Sequence, residues 1–112
     1  AQLIRLADGR QLNLILTTGG TGFSPRDITP EATMAVATRN APGIAEAIRY
    51  HSLTITPRGM LSRGASVLRG KTLIVNLPGS PKAVREDLEY LLPSLEHGVR
   101  IAAGLDGECA RK

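Results

Sequence analysis

Leu12-Asn13-Leu14-Ile15-Leu16-Thr17-Thr18-Gly19-Gly20-Thr21-Gly22, continued by Phe23-Ser24-Pro25-Arg26-Asp27-Ile28-Thr29-Pro30-Glu31-Ala32-Thr33, is the stretch around which the chain is organised. Leu12, Leu14, Ile15 and Leu16 are nearly continuous, as in a parallel strand covered on both faces, so residues 11–17 read as a buried strand. Thr29 can cap a helix and Pro30 suits a first helical position, where a missing N–H is no loss. The order is therefore strand, glycine loop, acid, helix N-terminus. Glycines let a backbone approach a ligand closely, and the free N–H groups of a helix start favour anions. The Gly-Gly-x-Gly spacing is not the dinucleotide fingerprint. Nor does Lys-Ser or Lys-Thr follow the last glycine, as a P-loop requires. On these residues alone, an anion-binding loop and a plain strand-to-helix turn both stand.

The same plan recurs downstream. Thr72 to Leu77 is a second strongly apolar strand, followed by Pro78-Gly79-Ser80-Pro81-Lys82-Ala83. Ser80 can cap and Pro81 can open the next helix. In open α/β sheets ligands bind at the carboxyl ends of strands. If the two strands are neighbours, both helix starts face one crevice, a site for a ligand with more than one phosphate.

Elsewhere the pattern is helical or turn-like. Leu3, Ile4, Leu6 and Ala7 read as the end of a helix closed by Gly9. Residues 30–39 read as a helix with Ala32, Ala35 and Val36 on one face, stopped by Asn40-Ala41-Pro42-Gly43. A short helix over 44–51 turns Ile44, Ala47 and Ile48 inward, and residues 62–77 form a hairpin through Arg69-Gly70-Lys71. Val84, Leu88, Leu91, Leu92 and Leu95 make a core-facing helical stripe, which Pro93 kinks or restarts. Residues 103–112 read as a flexible tail. The expected fold is a single α/β domain over 1–112, its sheet mostly parallel with one antiparallel hairpin strand.

The chain has 112 residues and a net charge of +4. Between Ala47 and Arg85 it carries no Asp or Glu, but has Arg49, Arg58, Arg63, Arg69, Lys71, Lys82 and Arg85. Such a run suits a phosphorylated small molecule, a nucleic acid, or simply a solvated basic face. With no Trp, and only Phe23, Tyr50 and Tyr90 as stacking platforms, the composition argues against single-stranded nucleic acid. No apolar run reaches membrane-spanning length and no leader pattern is visible, so a cytoplasmic protein is expected. Cys109, the single cysteine, cannot form an internal disulfide and reads as an idle thiol. His51 and His97 are not at metal-ligand spacing, and no Ser-His-Asp or Cys-His pattern stands out.

At Gly19-Gly20-Thr21-Gly22 with Pro25-Arg26-Asp27-Ile28-Thr29-Pro30-Glu31-Ala32 the chain resembles the molybdenum-cofactor proteins of the MogA, Cnx1 G-domain and gephyrin G-domain type. The resemblance continues through Met60-Leu61-Ser62-Arg63, Thr72 to Ala83, and Leu91-Leu92-Pro93. It implies a three-layer α/β/α sandwich, usually trimeric. It also implies transfer of AMP from ATP to the terminal phosphate of molybdopterin, with Mg²⁺ and release of pyrophosphate. The alternative within the resemblance is a MoaB-like or gephyrin-like module that binds pterin or assembles without transferring AMP. The family domain begins upstream with a strand, a helix and another strand, and carries a second functional aspartate there. The absence of an initiator Met and the early first strand agree with a missing N-terminal part.

Asp27 is the expected catalytic residue. It would hold Mg²⁺ or position the pterin phosphate around it, against the plainer role of a helix-start acid. The resemblance assigns Gly19, Gly20, Thr21 and Gly22 to phosphate, with Pro78, Gly79 and Ser80 as the second anion site. Ser62 and Arg63 would line the pterin or phosphate side, Arg63 competing with the reading of an exposed hairpin arginine. Arg26 either clamps phosphate or pairs with Glu31, and Lys82 is either solvated or in contact. The expected partners are molybdopterin, ATP and further copies in a homotrimer, with other molybdenum-cofactor enzymes also possible, and neither nucleic acid nor membrane.

Overall fold

A computed structural model describes residues 2–104. Helix α1 (Gln2–Ile4) runs into a π-helical turn (Arg5–Gly9), and strand β1 (Leu14–Thr18) follows. Then come helix α2 (Thr29–Ala35), strand β2 (Arg39–Asn40), helix α3 (Pro42–Leu53) and a 3₁₀ turn (Pro57–Leu61). Strands β3 (Ser66–Arg69) and β4 (Thr72–Leu77) lead to the long helix α4 (Pro81–Ala102). The tail expected over 103–112 and Cys109 fall almost wholly outside the described residues.

The sheet order is β1-β4-β3-β2. β1 and β4 are parallel, with Thr17 beside Asn76 and Thr18 beside Leu77. β3 pairs antiparallel with both β4 and β2. Where the sequence reading expects a mostly parallel sheet, the described strands thus form a mixed one. The difference comes from β2. The helix expected to reach Arg39 ends at Ala35, because the following residues extend and satisfy the open edge of β3. Thr38 N–H donates to Leu68 O at 2.8 Å and Ala41 N–H to Ser66 O at 3.1 Å.

Three layers result, as the resemblance implied. All six residues of β4 are buried. Their side chains alternate between faces, as a strand requires. Leu73, Val75 and Leu77 pack against Ile48 of α3 and Leu91 and Leu95 of α4. Ile74 faces the other way, with Ala7, Ile15, Val36 and Val67. Three details of the expected core change. On α2 the buried residues are Pro30 and Thr33, with Val36 just beyond, while Ala32 and Ala35 are exposed. Leu12 and Leu16 are exposed, because β1 is the outer strand of the described sheet. Leu92 is exposed, because the true stripe of α4 is Asp87, Leu91 and Leu95. Pro93 neither ends nor restarts α4, which continues through it.

Small residues fix the connections. A Cβ on Gly59 would sit 2.8 Å from the Ser52 Cβ, so the 3₁₀ turn can lie against α3 only with glycine there. The Ser66 hydroxyl donates to Ala41 O at 2.6 Å and accepts from Ala45 N–H at 2.9 Å. It thereby does for the start of α3 what a capping residue would do. Among the described residues, no helix is long and apolar enough to cross a membrane.

α4 also buries a carboxyl group. Asp87 is 2% exposed; its Oδ1 is 3.4 Å from His51 Nδ1, and its Oδ2 has no hydrogen-bond partner. Burial pushes its pKa above the ordinary carboxylate value, opposed by the neighbouring His51 and reinforced by Glu86. A raised carboxyl pKa means that the folded chain binds this proton more tightly than the unfolded chain does. Stability from this group is therefore greatest in acid and falls as pH rises through the folded pKa. Asp87→Asn removes the buried charge. The expected result is a higher unfolding midpoint than wild type at pH 8, by a few degrees, with the gain shrinking toward pH 4. Thermal unfolding at the two pH values checks it.

Candidate active site

The parallel pairing of β1 with β4 brings the two glycine loops together. Gly19 N–H donates to Leu77 O at 3.0 Å, extending the ladder one residue past the strand. Beyond it the two backbones touch: a Cβ on Gly79 would lie 3.5 Å from the Gly19 Cα. Gly19 and Gly20 both lie in the left-handed region, at φ of +81° and +72°. Glycine is the residue that takes this conformation without steric cost. The turn they make aims the chain toward α2, where Thr29 N–H donates back to Gly20 O at 3.1 Å.

The segment between loop and helix is a closed turn. Asp27 N–H donates to Ser24 O at 2.9 Å, and Ser24 N–H to Asp27 Oδ2 at 3.0 Å. The Ser24 hydroxyl accepts from Arg26 N–H at 3.3 Å. This holds the half-buried Asp27 carboxylate against Gly22, where a Cβ would come within 2.8 Å of Oδ2. Phe23 and Ile28 stand at the two ends of the turn and are 67% and 63% exposed. Thr29 does not cap α2. The helix begins on it, Ile28 takes the capping position without a side-chain bond, and the Thr29 hydroxyl packs on Gly20. The second loop behaves as expected. Ser80 caps α4, its Oγ accepting from Ala83 N–H at 3.4 Å, and Pro81 is the first helical residue.

Arg63 is the strut of the first loop. Its N–H donates to Thr21 O at 2.8 Å, its Nε to Gly22 O at 2.8 Å, and its Nη2 to Asp27 O at 2.6 Å. Nη1 bonds Glu31 at 2.5 Å. That contact draws the Glu31 carboxyl below its ordinary pKa and raises the guanidinium's. Glu31 is thus taken by Arg63, not by Arg26, which stands exposed on the turn. Ser62 is half-buried beside the strut, its hydroxyl accepting from Gly64 N–H at 3.3 Å. Lys82 is exposed on the first turn of α4.

Asn76 is the residue that the sequence reading misses. It is 2% exposed, and its carboxamide bonds Thr17, Thr33 and Ala65. The available signal was an amide within the otherwise apolar run of β4. A cavity of about 550 Å³ opens at the opposite, amino edge of the sheet, lined by Asp8, Gln11, Asn13, Arg69 and Thr72 among others. None of the expected site residues reaches it, and its Asp8 and Arg69 neutralise each other at 2.7 Å.

The sequence model of the family described as a probable molybdopterin binding domain matches residues 1–97. The chain belongs to that family. Relatives in this molybdopterin-binding family include a molybdopterin adenylyltransferase of Helicobacter pylori, 46% identical over 102 residues, 91% of this chain and 58% of that protein. The molybdopterin adenylyltransferase of Escherichia coli K12 is 51% identical over 87 residues, 78% of this chain and 45% of that protein. The chain spans about half the length of these curated relatives. Among solved structures, the molybdopterin biosynthesis enzyme MoaB of Thermus thermophilus superposes with a TM-score of 0.85 at 52% identity, covering 92% of this chain and 65% of that one. The molybdopterin-binding fold that the resemblance implied is therefore the fold this chain has.

Proposed function

We propose that the protein transfers AMP from ATP to the terminal phosphate of molybdopterin. A phosphate oxygen of the pterin attacks the α-phosphorus of ATP, the bond to the β-phosphate oxygen breaks, and pyrophosphate leaves. The observation that carries this reading is the meeting of Gly19 and Gly79 at one sheet edge, with the Asp27 carboxylate fixed beside the first loop. Phosphoryl-group transfer asks a protein chiefly for positioning and charge stabilisation. The N–H groups of Gly20, Thr21 and Gly22 and the Thr21 hydroxyl face one phosphate group in this reading. Gly79 and Ser80, with Pro78 shaping their turn, face another at the start of α4. Arg26 is free to reach a phosphate oxygen, Ser62 lines the pterin side, and Arg63 builds the wall between them. Phe23 and Ile28 offer an apolar surface to a planar ring.

Among the described residues no three His, Cys, Asp or Glu side chains gather into a metal cage. Mg²⁺ in phosphate sites asks for less, one or two carboxylates with substrate phosphates completing its shell. Asp27 fits that mode: Oδ2 is committed to Ser24 N–H and Oδ1 is left for a cation. When bound, Mg²⁺ supplies charge neutralisation between the carboxylate and the phosphates. The reading includes a homotrimer in the cytoplasm, working alongside other molybdenum-cofactor enzymes.

The test is pyrophosphate release from Mg-ATP with and without molybdopterin, using the full chain. Release that requires the pterin is the expected result. Pterin binding without release would replace transfer by a non-catalytic pterin-binding module.

A further inference from the structure

We propose that Asn76 is a positioning residue of the transfer site, one that sets the spacing of the two phosphate loops without touching a ligand; this rests on the adenylyl-transfer reading above. Its side chain is held on three sides. Nδ2 donates one hydrogen to Thr17 Oγ1 at 3.0 Å and the other to Thr33 Oγ1 at 2.9 Å. Oδ1 accepts from Ala65 N–H at 2.9 Å, while the Asn76 backbone N–H donates to Ala65 O at 2.9 Å. The backbone donor at Ala65 requires the oxygen on that side, so the orientation of the amide is settled by its partners.

Each partner belongs to a different part of the site. Thr17 lies directly across from Asn76 in β1, two residues before Gly19. Thr33, fully buried, lies on α2, which begins two residues after Asp27. Ala65 is two residues beyond the strut Arg63. Asn76 itself is two residues before Pro78. One carboxamide therefore connects the first loop, helix α2 that follows Asp27, the strut segment and the second loop. In a buried setting such a fully satisfied network permits one arrangement and penalises others, since a displaced partner leaves a polar group unpaired. Transfer between groups held by separate loops depends on their alignment, and a shift of about 1 Å can cost about 100-fold in rate. Binding to either loop alone does not need that alignment.

The structure also provides a control. Thr72 Oγ1 donates to Leu12 O at 2.5 Å, a side-chain bond from β4 to the segment just before β1, at the far edge of the sheet. Four variants of the full chain, Asn76→Leu, Thr17→Val, Thr33→Val and Thr72→Val, are compared for steady-state pyrophosphate release, binding of inorganic phosphate alone, and thermal unfolding. The expected kcat loss is about 100-fold for Asn76→Leu and about tenfold for each of the Thr17 and Thr33 variants. KM for ATP and the affinity for inorganic phosphate, which a single loop can hold, should stay within about threefold of wild type. Thr72→Val should lose a comparable amount of thermal stability and keep its kcat. If Asn76→Leu does not fold, Thr17→Val and Thr33→Val decide by the same criteria. A kcat within twofold of wild type in those variants, or an equal loss in Thr72→Val, overturns the positioning role alone. A wild-type chain that releases no pyrophosphate overturns the transfer reading, and this inference with it.

Discussion

Asp27→Asn should lower molybdopterin-dependent pyrophosphate release by about 100-fold or more while leaving the fold intact. The asparagine oxygen can still accept from Ser24 N–H, the bond that closes the Ser24–Asp27 turn. What disappears is the negative charge beside the glycine loop. Loss of one preorganised electrostatic contribution typically costs 10²–10³-fold in kcat, roughly 3–4 kcal/mol. The unfolding midpoint should move little, because the carboxylate is only half-buried and its turn survives. Asp27→Ala should be equally inactive and less stable, since it also leaves Ser24 N–H without its partner. Steady-state kinetics and thermal unfolding on both variants separate charge from structure. Wild-type kcat in Asp27→Asn would reduce Asp27 to a helix-start acid.

Gly20→Ala carries the largest expected effect on stability. Gly20 sits at φ +72°, where an L side chain costs about 1–2 kcal/mol before any contact is considered. Its Cβ would also run into the Thr29 hydroxyl and lie 3.2 Å from the Thr29 Cβ. Thr29 is poorly placed to retreat, because its N–H is bonded to Gly20 O and it is the first residue of α2. Strain and overpacking together should cost about 3 kcal/mol, an unfolding midpoint lower by more than about 10 °C for a domain of this size. Gly43→Ala is the internal comparison. Gly43 lies within α3 and a Cβ there meets nothing within 4 Å, so the substitution should be neutral or stabilising by about 0.5–1 kcal/mol. Chemical denaturation of both variants gives the difference directly. Equal stability of the two would mean that the loop is not held against α2 in solution.

The carboxyl-edge site was legible because its signals are local. A strand, three closely spaced glycines and a Thr-Pro or Ser-Pro helix start each act within a few residues, and the repeat of that plan placed both loops. Their adjacency was conditional until the β1–β4 pairing satisfied it. What could not be read was long-range pairing. Arg63 is 32 residues from Glu31 and 41 from Gly22, and nothing in Leu-Ser-Arg says that its donors will be spent on the loop rather than on a ligand. Val36 to Asn40 has the local pattern of a helix end. Its last two residues, Arg39 and Asn40, pair as a strand because β3 offers an open edge. Leu92 carries the spacing of a core residue, but the buried stripe passes through Asp87, a charged residue that no hydrophobic count includes.

The central claim is that the two glycine loops form one phosphate site. Titration of the full chain with pyrophosphate, followed by the backbone amide resonances in NMR spectra, tests it most directly. The account predicts that Gly20, Thr21 and Gly22 shift together with Gly79 and Ser80 along a single binding curve, and that the amides around Arg69 and Lys71 at the opposite edge do not follow it. Separate curves for the two loops, or shifts confined to the amino-edge cavity, would contradict it.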